Sequence, residues 1–209
     1  MRRVAVNVLA FAGGFAVMSL ELLGGRMLAP YFGNSIYVWG SVISIFMVSL
    51  AIGYLAGGWW SLRSATLVKF ALIFIVAGIA FAPLVVVAEP TMAWVFDRIE
   101  DPRYGSLVAA SALFVLPTAV LGAVSPYSVR LLVDATQRSG HVAGSLYFVS
   151  TVGSALGTLL TSFYFVLWWE IDTIIALLAS TLLALGAFAL LGALLARGRA
   201  LGRAGGAFR

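Results

Sequence analysis

The sequence contains no cysteine and a single histidine, His141, and only 10% of its 209 residues are charged. The absence of cysteine excludes disulfides, thiolate metal sites and cysteine nucleophiles. One histidine cannot build a histidine metal cluster. Soluble domains are about 25% charged and about 45–50% apolar, whereas 62% of these residues are hydrophobic. A globule of this length has too little interior to hide that excess, so lipid must be the solvent for much of its surface.

Long apolar runs predict an all-α integral membrane protein with six transmembrane helices. A bilayer core about 30 Å thick takes about 20 apolar residues per helix, and six such helices use more than half of the chain. Pro83 and Pro117 fall inside two of the runs, where a missing backbone donor predicts local kinks. The predicted spans are residues 4–23, 37–60, 66–88, 104–124, 141–168 and 173–196.

The charges between these spans predict the orientation. Cytoplasmic loops of membrane proteins carry an excess of lysine and arginine, which also explains the net charge of +5 without nucleic acid. The other side has Arg98 and Arg103, with Arg26 close to its surface, and the loops there are acidic. Both termini are therefore predicted to lie in the cytoplasm, in a protein of the plasma (inner) membrane. The cationic side holds Arg2, Arg3, Arg63, Lys69, Arg130, Arg138, Arg197, Arg199, Arg203 and Arg209.

An internal repeat appears when the sequence is shifted by 104 residues. Identities include Arg26 with Arg130, Gly40 with Gly144 and, without any gap, residues 48, 51, 53 and 55 with 152, 155, 157 and 159. Each half would hold three helices, so the second half would enter the membrane from the opposite side, as in many secondary transporters. The domain prediction is one membrane domain, 1–196, with inverted repeats 1–88 and 104–196 joined by an outer loop, 89–103. A basic cytoplasmic tail, 197–209, follows.

Two stripes of small residues occupy equivalent places in the repeats. Small residues four apart let helix backbones approach closely, so the second and fifth helices are predicted to pack together near a pseudo-twofold axis. The stripes are Ser49, Gly53 and Gly57, and Gly153, Gly157 and Thr161.

Glu21 is the one carboxylate predicted to lie at membrane depth, near the outer end of the first helix. A carboxylate there is costly unless it is paired or faces water or protein. Arg26 is a candidate partner if the helix loosens at Gly24-Gly25. Two interpretations stay open: a structural ion pair at the membrane boundary, and a cation or proton site that lines a cavity.

One stretch, from Glu21 through Gly33 and on to Gly40, carries a family resemblance. With residues 121–131 and 143–157, it resembles the membrane domain of spermidine-synthase-like membrane proteins, a group of fused major-facilitator and spermidine-synthase proteins. In that family a soluble aminopropyltransferase-like domain commonly follows the membrane part. This sequence contains no glycine-rich nucleotide loop and no acidic catalytic motif after the sixth predicted helix, so the resemblance implies a membrane part without the catalytic part.

Two functions are therefore expected, neither enzymatic and neither with a cofactor or metal. The first is a transporter-like module for a small metabolite such as a polyamine-like cation. The alternative is an anchor, scaffold or accessory subunit that docks a separately encoded synthase-like protein or other membrane subunits, with a homo-oligomer also open. No nucleophile with a base and no phosphate loop supports an enzyme.

Overall fold

The computed structural model describes residues 2–133 and 139–206, which are mostly helical and contain no β-strand. Arg138 and Arg209 lie outside the described residues. Between α7 and α8 the chain forms a π-helical turn, Thr161–Phe165. The α-helices are α1 Arg2–Phe32, α2 Ile36–Leu62, α3 Leu67–Phe81, α4 Leu84–Phe96, α5 Pro102–Gly122, α6 Val124–Leu132, α7 Ser139–Leu160, α8 Val166–Trp168 and α9 Ile171–Gly206.

Five helical segments are long and apolar enough to cross a membrane, and α3 with α4 makes a sixth if that bent pair counts as one span. In two of the five, α5 continues through α6 to Leu132, and α7 continues through the π turn and α8 to Trp168. The prediction of a multi-pass helical membrane protein is thus confirmed at the level of five to six spans.

The third predicted span is broken at Pro83. The axes of α3 and α4 differ by 49°, because proline lacks the backbone donor that would continue the helix and its ring clashes with the preceding turn. Residues 89–96, predicted to be part of an outer loop, are helical in α4. Pro117, by contrast, lies within an uninterrupted α5.

Two helices extend beyond their predicted ends. α1 continues past Gly24-Gly25 to Phe32, and the turn into α2 comes at Gly33, whose φ of 81° favours glycine. The backbone of α9 continues to Gly206, so residues 197–206 prolong the last helix rather than form a separate tail. Apolarity marks where a helix enters lipid, but it does not mark where the helix ends.

Each small-residue stripe packs on a helix other than the predicted one. The α2 stripe meets α5: a Cβ at Gly53 would collide with the Ala119 carbonyl, and one at Gly57 would lie 2.6 Å from the Ala123 Cα. The α7 stripe meets α1, where Gly153 and Gly157 lie against the backbone of residues 11–15. The second and fifth predicted helices are α2 and α7 of the structure. The prediction that they pack closely on each other is wrong, because α5 covers the stripe of α2 and α1 covers the stripe of α7. Ser49 donates to the Ile45 carbonyl of its own helix.

The contacts of the two stripes correspond under the 104-residue shift. The contact of Gly53 with Ala119 has its counterpart in that of Gly157 with Phe15. The contact of Gly57 with Ala123 corresponds to a pair of residues, Thr161 and Ser19, whose hydroxyls are hydrogen-bonded at 2.9 Å. In both cases the two helices run parallel, since residue numbers rise together along the contact.

The third large helix contact joins α3 and α9, which run antiparallel. A Cβ at Gly78 would lie 2.6 Å from Leu183 Cγ, and one at Gly186 would lie 2.7 Å from Ile75 Cγ1. Fully buried aromatic side chains fill the centre of the bundle, among them Phe46, Phe74 and Phe114. Close glycine contacts between helix pairs and large buried rings together fix the places of the six segments.

Candidate functional site

Glu21 and Arg26 do not form the predicted ion pair. Among the described residues the only salt bridge joins Arg103 and Asp101, and Glu21 has neither a hydrogen bond nor an ionic partner. Because α1 stays helical throughout, five residues turn the helix by about 140° between the two side chains. Glu21 is half-buried on one side of α1, and Arg26 is exposed on another.

The glycines between them do not loosen the helix because neighbouring rings cover both. A Cβ at Gly24 would lie 3.0 Å from the Phe114 ring, and one at Gly25 would lie 2.6 Å from the Trp39 ring. The Trp39 indole nitrogen in turn donates a hydrogen bond to Asn34 Oδ1 at 2.8 Å. The loosening that the predicted pair required is absent, since the glycines serve close packing instead.

Arg26 instead lines a cavity of about 670 Å³ at the end of the bundle opposite Arg2. We call it the acidic cavity, because Glu89, Glu170 and Asp172 line it as well. All three carboxylates are exposed, and none forms an ion pair within the described residues. Glu21 is not part of its wall. The structure thus separates the two predicted site residues and brings Arg26 together with one carboxylate of α4 and two at the start of α9.

Three chain segments position the carboxylates. The bend at Pro83 directs α4 so that Glu89 reaches the cavity. The extended residue Trp169 and Glu170 separate α8 from α9, and Asp172 is the second residue of α9. The indole rings of Trp168 and Trp169 line the same cavity, and the Trp169 ring packs on Phe165 at 5.4 Å between centroids. Aromatic faces next to carboxylates attract organic cations through the ring quadrupole.

A second cavity, of about 740 Å³, lies at the other end of the bundle and is lined by Arg2 and Arg197. We call it the basic cavity. Seven of its wall positions correspond to walls of the acidic cavity under the shift of 104 residues. Every carboxylate of the acidic cavity is replaced by an uncharged residue in the basic one. The pairs are Val85 with Ala189, Ala88 with Gly192, Glu89 with Ala193, Met92 with Ala196, Glu170 with Thr66, Ile171 with Leu67 and Asp172 with Val68.

The ion pair of Asp101 and Arg103 marks the start of α5, outside the acidic cavity. Arg103 Nη2 lies 2.6 Å from Asp101 Oδ2, and the Arg103 backbone N–H donates to Asp101 Oδ1 at 2.9 Å. These hydrogen bonds to the carboxylate lower the pKa of Asp101 below its ordinary value of 3.8. Asp101 is thereby both the N-cap of α5 and a fixed negative charge.

The described residues contain no group of three or more histidine, cysteine, aspartate or glutamate side chains that could hold a metal ion.

Sequence reasoning noted that the outer loops are acidic but did not select Glu89, Glu170 and Asp172 as a group. They are 83 residues apart at the extremes, and no spacing rule joins them.

No protein-family model matches this chain, and no curated protein or solved structure matches it either.

Proposed function

We propose that this protein is a transporter-like membrane module for a small organic cation of the polyamine type and is not itself catalytic. The acidic cavity carries the proposal, because it joins three unpaired carboxylates with two indole rings. Its volume of about 670 Å³ falls within the about 300–1,000 Å³ typical of small-molecule sites. A flexible chain with several ammonium groups fits such a site, since separate carboxylates can pair with separate charges.

Arg26 gives the cavity a charge balance that also suits release. One guanidinium among three carboxylates gives the wall a formal net charge of −2. A dication would neutralise that charge, and Arg26 would repel any further cation. The affinity for a polyamine-like cation is then moderate, and a transporter-like module requires moderate affinity because it must release its substrate.

The inverted repeat is part of the same proposal. Its support is the set of contacts that correspond under the 104-residue shift, Gly53 with Ala119 and Gly157 with Phe15 among them. Inverted repeats of three helices underlie many secondary transporters, where the substrate site lies between the repeats. The resemblance to spermidine-synthase-like membrane proteins agrees with a polyamine-like cargo. It concerns the family as a whole and identifies no residue of the acidic cavity.

The orientation that we propose places the basic end of the bundle in the cytoplasm of a cell with an inner membrane. The acidic cavity would then face outward and collect cations from outside. Reporter fusions after Arg63 should report cytoplasm, and fusions after Asp101 should report the opposite side. The reverse pattern would contradict the orientation and, with it, the direction of uptake.

The test is binding and uptake of radiolabelled spermidine by the purified protein, in detergent and in liposomes. Glu89→Gln with Glu170→Gln should reduce spermidine affinity by about tenfold or more, because each lost charge contact is worth about 1 kcal/mol. The matched control is Glu100→Gln with Asp97→Asn, which removes two charges from the same end but none from the cavity. Equal losses in both double variants, or no spermidine binding by the wild type, would contradict the proposal.

The alternative is an accessory or scaffold subunit, and one observation favours it. Gly40 on α2 and Gly144 on α7 have open space where a side chain would be, and they are equivalent under the repeat. Exposed small residues let another helix approach a membrane helix closely. A second copy, other membrane subunits or a membrane-bound synthase-like protein would fit there. Crosslinking from cysteines placed at positions 40 and 144 in native membranes tests it: a single stoichiometric partner supports assembly, and monomers alone oppose it.

A further inference from the structure

We infer that the basic cavity binds the phosphate headgroup of an anionic phospholipid, whose acyl chains lie along its apolar wall. The inference is independent of cation transport, since it concerns the opposite end of the bundle. Seven wall positions of the acidic cavity correspond to wall positions of the basic cavity under the 104-residue shift. The net charges of the two walls are opposite in sign, so we expect ligands of opposite charge.

Two guanidinium groups supply the charge. Arg2 donates one hydrogen bond to the Leu131 carbonyl, which leaves most of its five N–H donors for a ligand. Arg197 forms no ion pair or hydrogen bond within the described residues. No described carboxylate lines this cavity. An anion that enters therefore meets two cations with no competing partner.

The first turn of α3 adds backbone donors. Leu67 and Val68, the first two residues of that helix, line the cavity. Backbone N–H groups in a first helical turn have no acceptor within their own helix, and they favour phosphate. Thr66, the N-cap, already accepts from the Lys69 backbone N–H at 3.3 Å, so its hydroxyl holds the helix start in place.

The rest of the wall is apolar and reaches the lipid-facing surface. Phe188 and Leu195 of α9 are 75% and 62% exposed, while Ala189, Gly192 and Ala196 leave a shallow channel between them. A free phosphate ion would gain nothing from this surface, whereas acyl chains would cover it. Basic pockets between membrane helices are the recognised form of site for anionic headgroups. The source of the phosphate is therefore a phospholipid.

The experiment measures lipid-dependent thermal stability and lipid binding by native mass spectrometry, on the full-length protein in detergent. The probes are phosphatidylglycerol, phosphatidylcholine with the same acyl chains, and inorganic phosphate. Phosphatidylglycerol should raise Tm and remain bound, and the other two should not. Equal effects of both lipids would overturn headgroup recognition. An equal rise in Tm with inorganic phosphate would mean that the cavity binds a free anion, and it would overturn a phospholipid as the source of the phosphate.

Two variants locate the site. Arg2→Gln with Arg197→Gln should weaken phosphatidylglycerol binding by about tenfold or more, whereas Arg3→Gln with Arg63→Gln, at the same end but outside the cavity, should leave it near wild type. Gly192→Leu should also weaken binding because it fills the apolar channel, and open space at Gly192 allows it to fold. Gly144→Leu is its control on a distant helix. Wild-type binding in Gly192→Leu, or equal weakening in both arginine pairs, would overturn the inference.

Discussion

Thr161 Oγ1 donates a hydrogen bond to Ser19 Oγ at 2.9 Å, and both side chains are fully buried. Ser19 Oγ in turn lies 3.4 Å from the Gly157 carbonyl, one turn earlier on α7. The pair ties α1 to the point where α7 becomes a π-helical turn. At the positions that correspond under the 104-residue shift, Gly57 lies against the Cα, Cβ and carbonyl oxygen of Ala123. The contact of α1 with α7 thus has a side-chain hydrogen bond where the contact of α2 with α5 has glycine packing.

Replacing Ser19 by Ala should lower the stability of the bundle, because it leaves the buried Thr161 hydroxyl without its acceptor. Thr161→Val should also lower it, because Ser19 then keeps only its 3.4 Å contact with the Gly157 carbonyl. Hydrogen bonds between membrane helices are worth about 0.6 kcal/mol on average and up to about 1.7 kcal/mol. A double-mutant cycle on the free energy of unfolding should show coupling of that size. Additive effects of the two changes would mean that the hydroxyls do not depend on each other.

Adding a methyl group at Gly53 or Gly157 should be strongly destabilising. A Cβ at either position collides with a carbonyl on the adjacent helix, and displacing a packed helix costs about 1–3 kcal/mol. The controls are Gly40→Ala and Gly144→Ala, where space is open and alanine should stabilise by up to about 1 kcal/mol. Thermal unfolding in detergent separates the two classes. If all four variants unfolded alike, the stripes would not be at helix contacts.

Glu21→Gln and Arg26→Gln should act independently of each other. The two side chains point to different sides of α1 and form no ion pair, so the changes in unfolding free energy should add within about 0.5 kcal/mol. Spermidine affinity should rise or stay the same in Arg26→Gln, since that change removes a positive charge from the acidic cavity. Glu21→Gln should leave the affinity unchanged. Strong coupling between the two changes would instead support the ion pair that the sequence predicted.

The start of α5 should become less stable in acid. Arg103 lowers the pKa of Asp101 below its ordinary value of 3.8, so the carboxylate's contribution is complete above about pH 4 and is lost as pH falls through the folded-state pKa. Asp101→Asn should remove this part of the acid dependence, leaving a flatter profile of Tm against pH. Asp97→Asn is the control, and it should leave the acid dependence of the wild type in place.

Sequence reasoning predicted the helical class, the number of spans to within one and the break caused by Pro83. Those features depend on local quantities: apolar length, which must match the bilayer, and a missing backbone donor. It also selected Gly53, Gly57, Gly153 and Gly157, because small residues four apart are visible along one helix. What such a stripe cannot specify is the partner that covers it.

The tertiary structure alone decided the partners. Any helix with a smooth face fits a glycine stripe, so the choice of α5 for α2 and of α1 for α7 follows from the whole arrangement of the bundle. The same holds for the charges. Glu21 and Arg26 are neighbours in sequence, yet an unbroken helix turns them apart, and a bend at Pro83 with a break at Trp169 brings Arg26 to Glu89, Glu170 and Asp172 instead. The sequence determines which polar groups and which glycine faces need a partner in a membrane, and only the packing of the helices determines which residues become those partners.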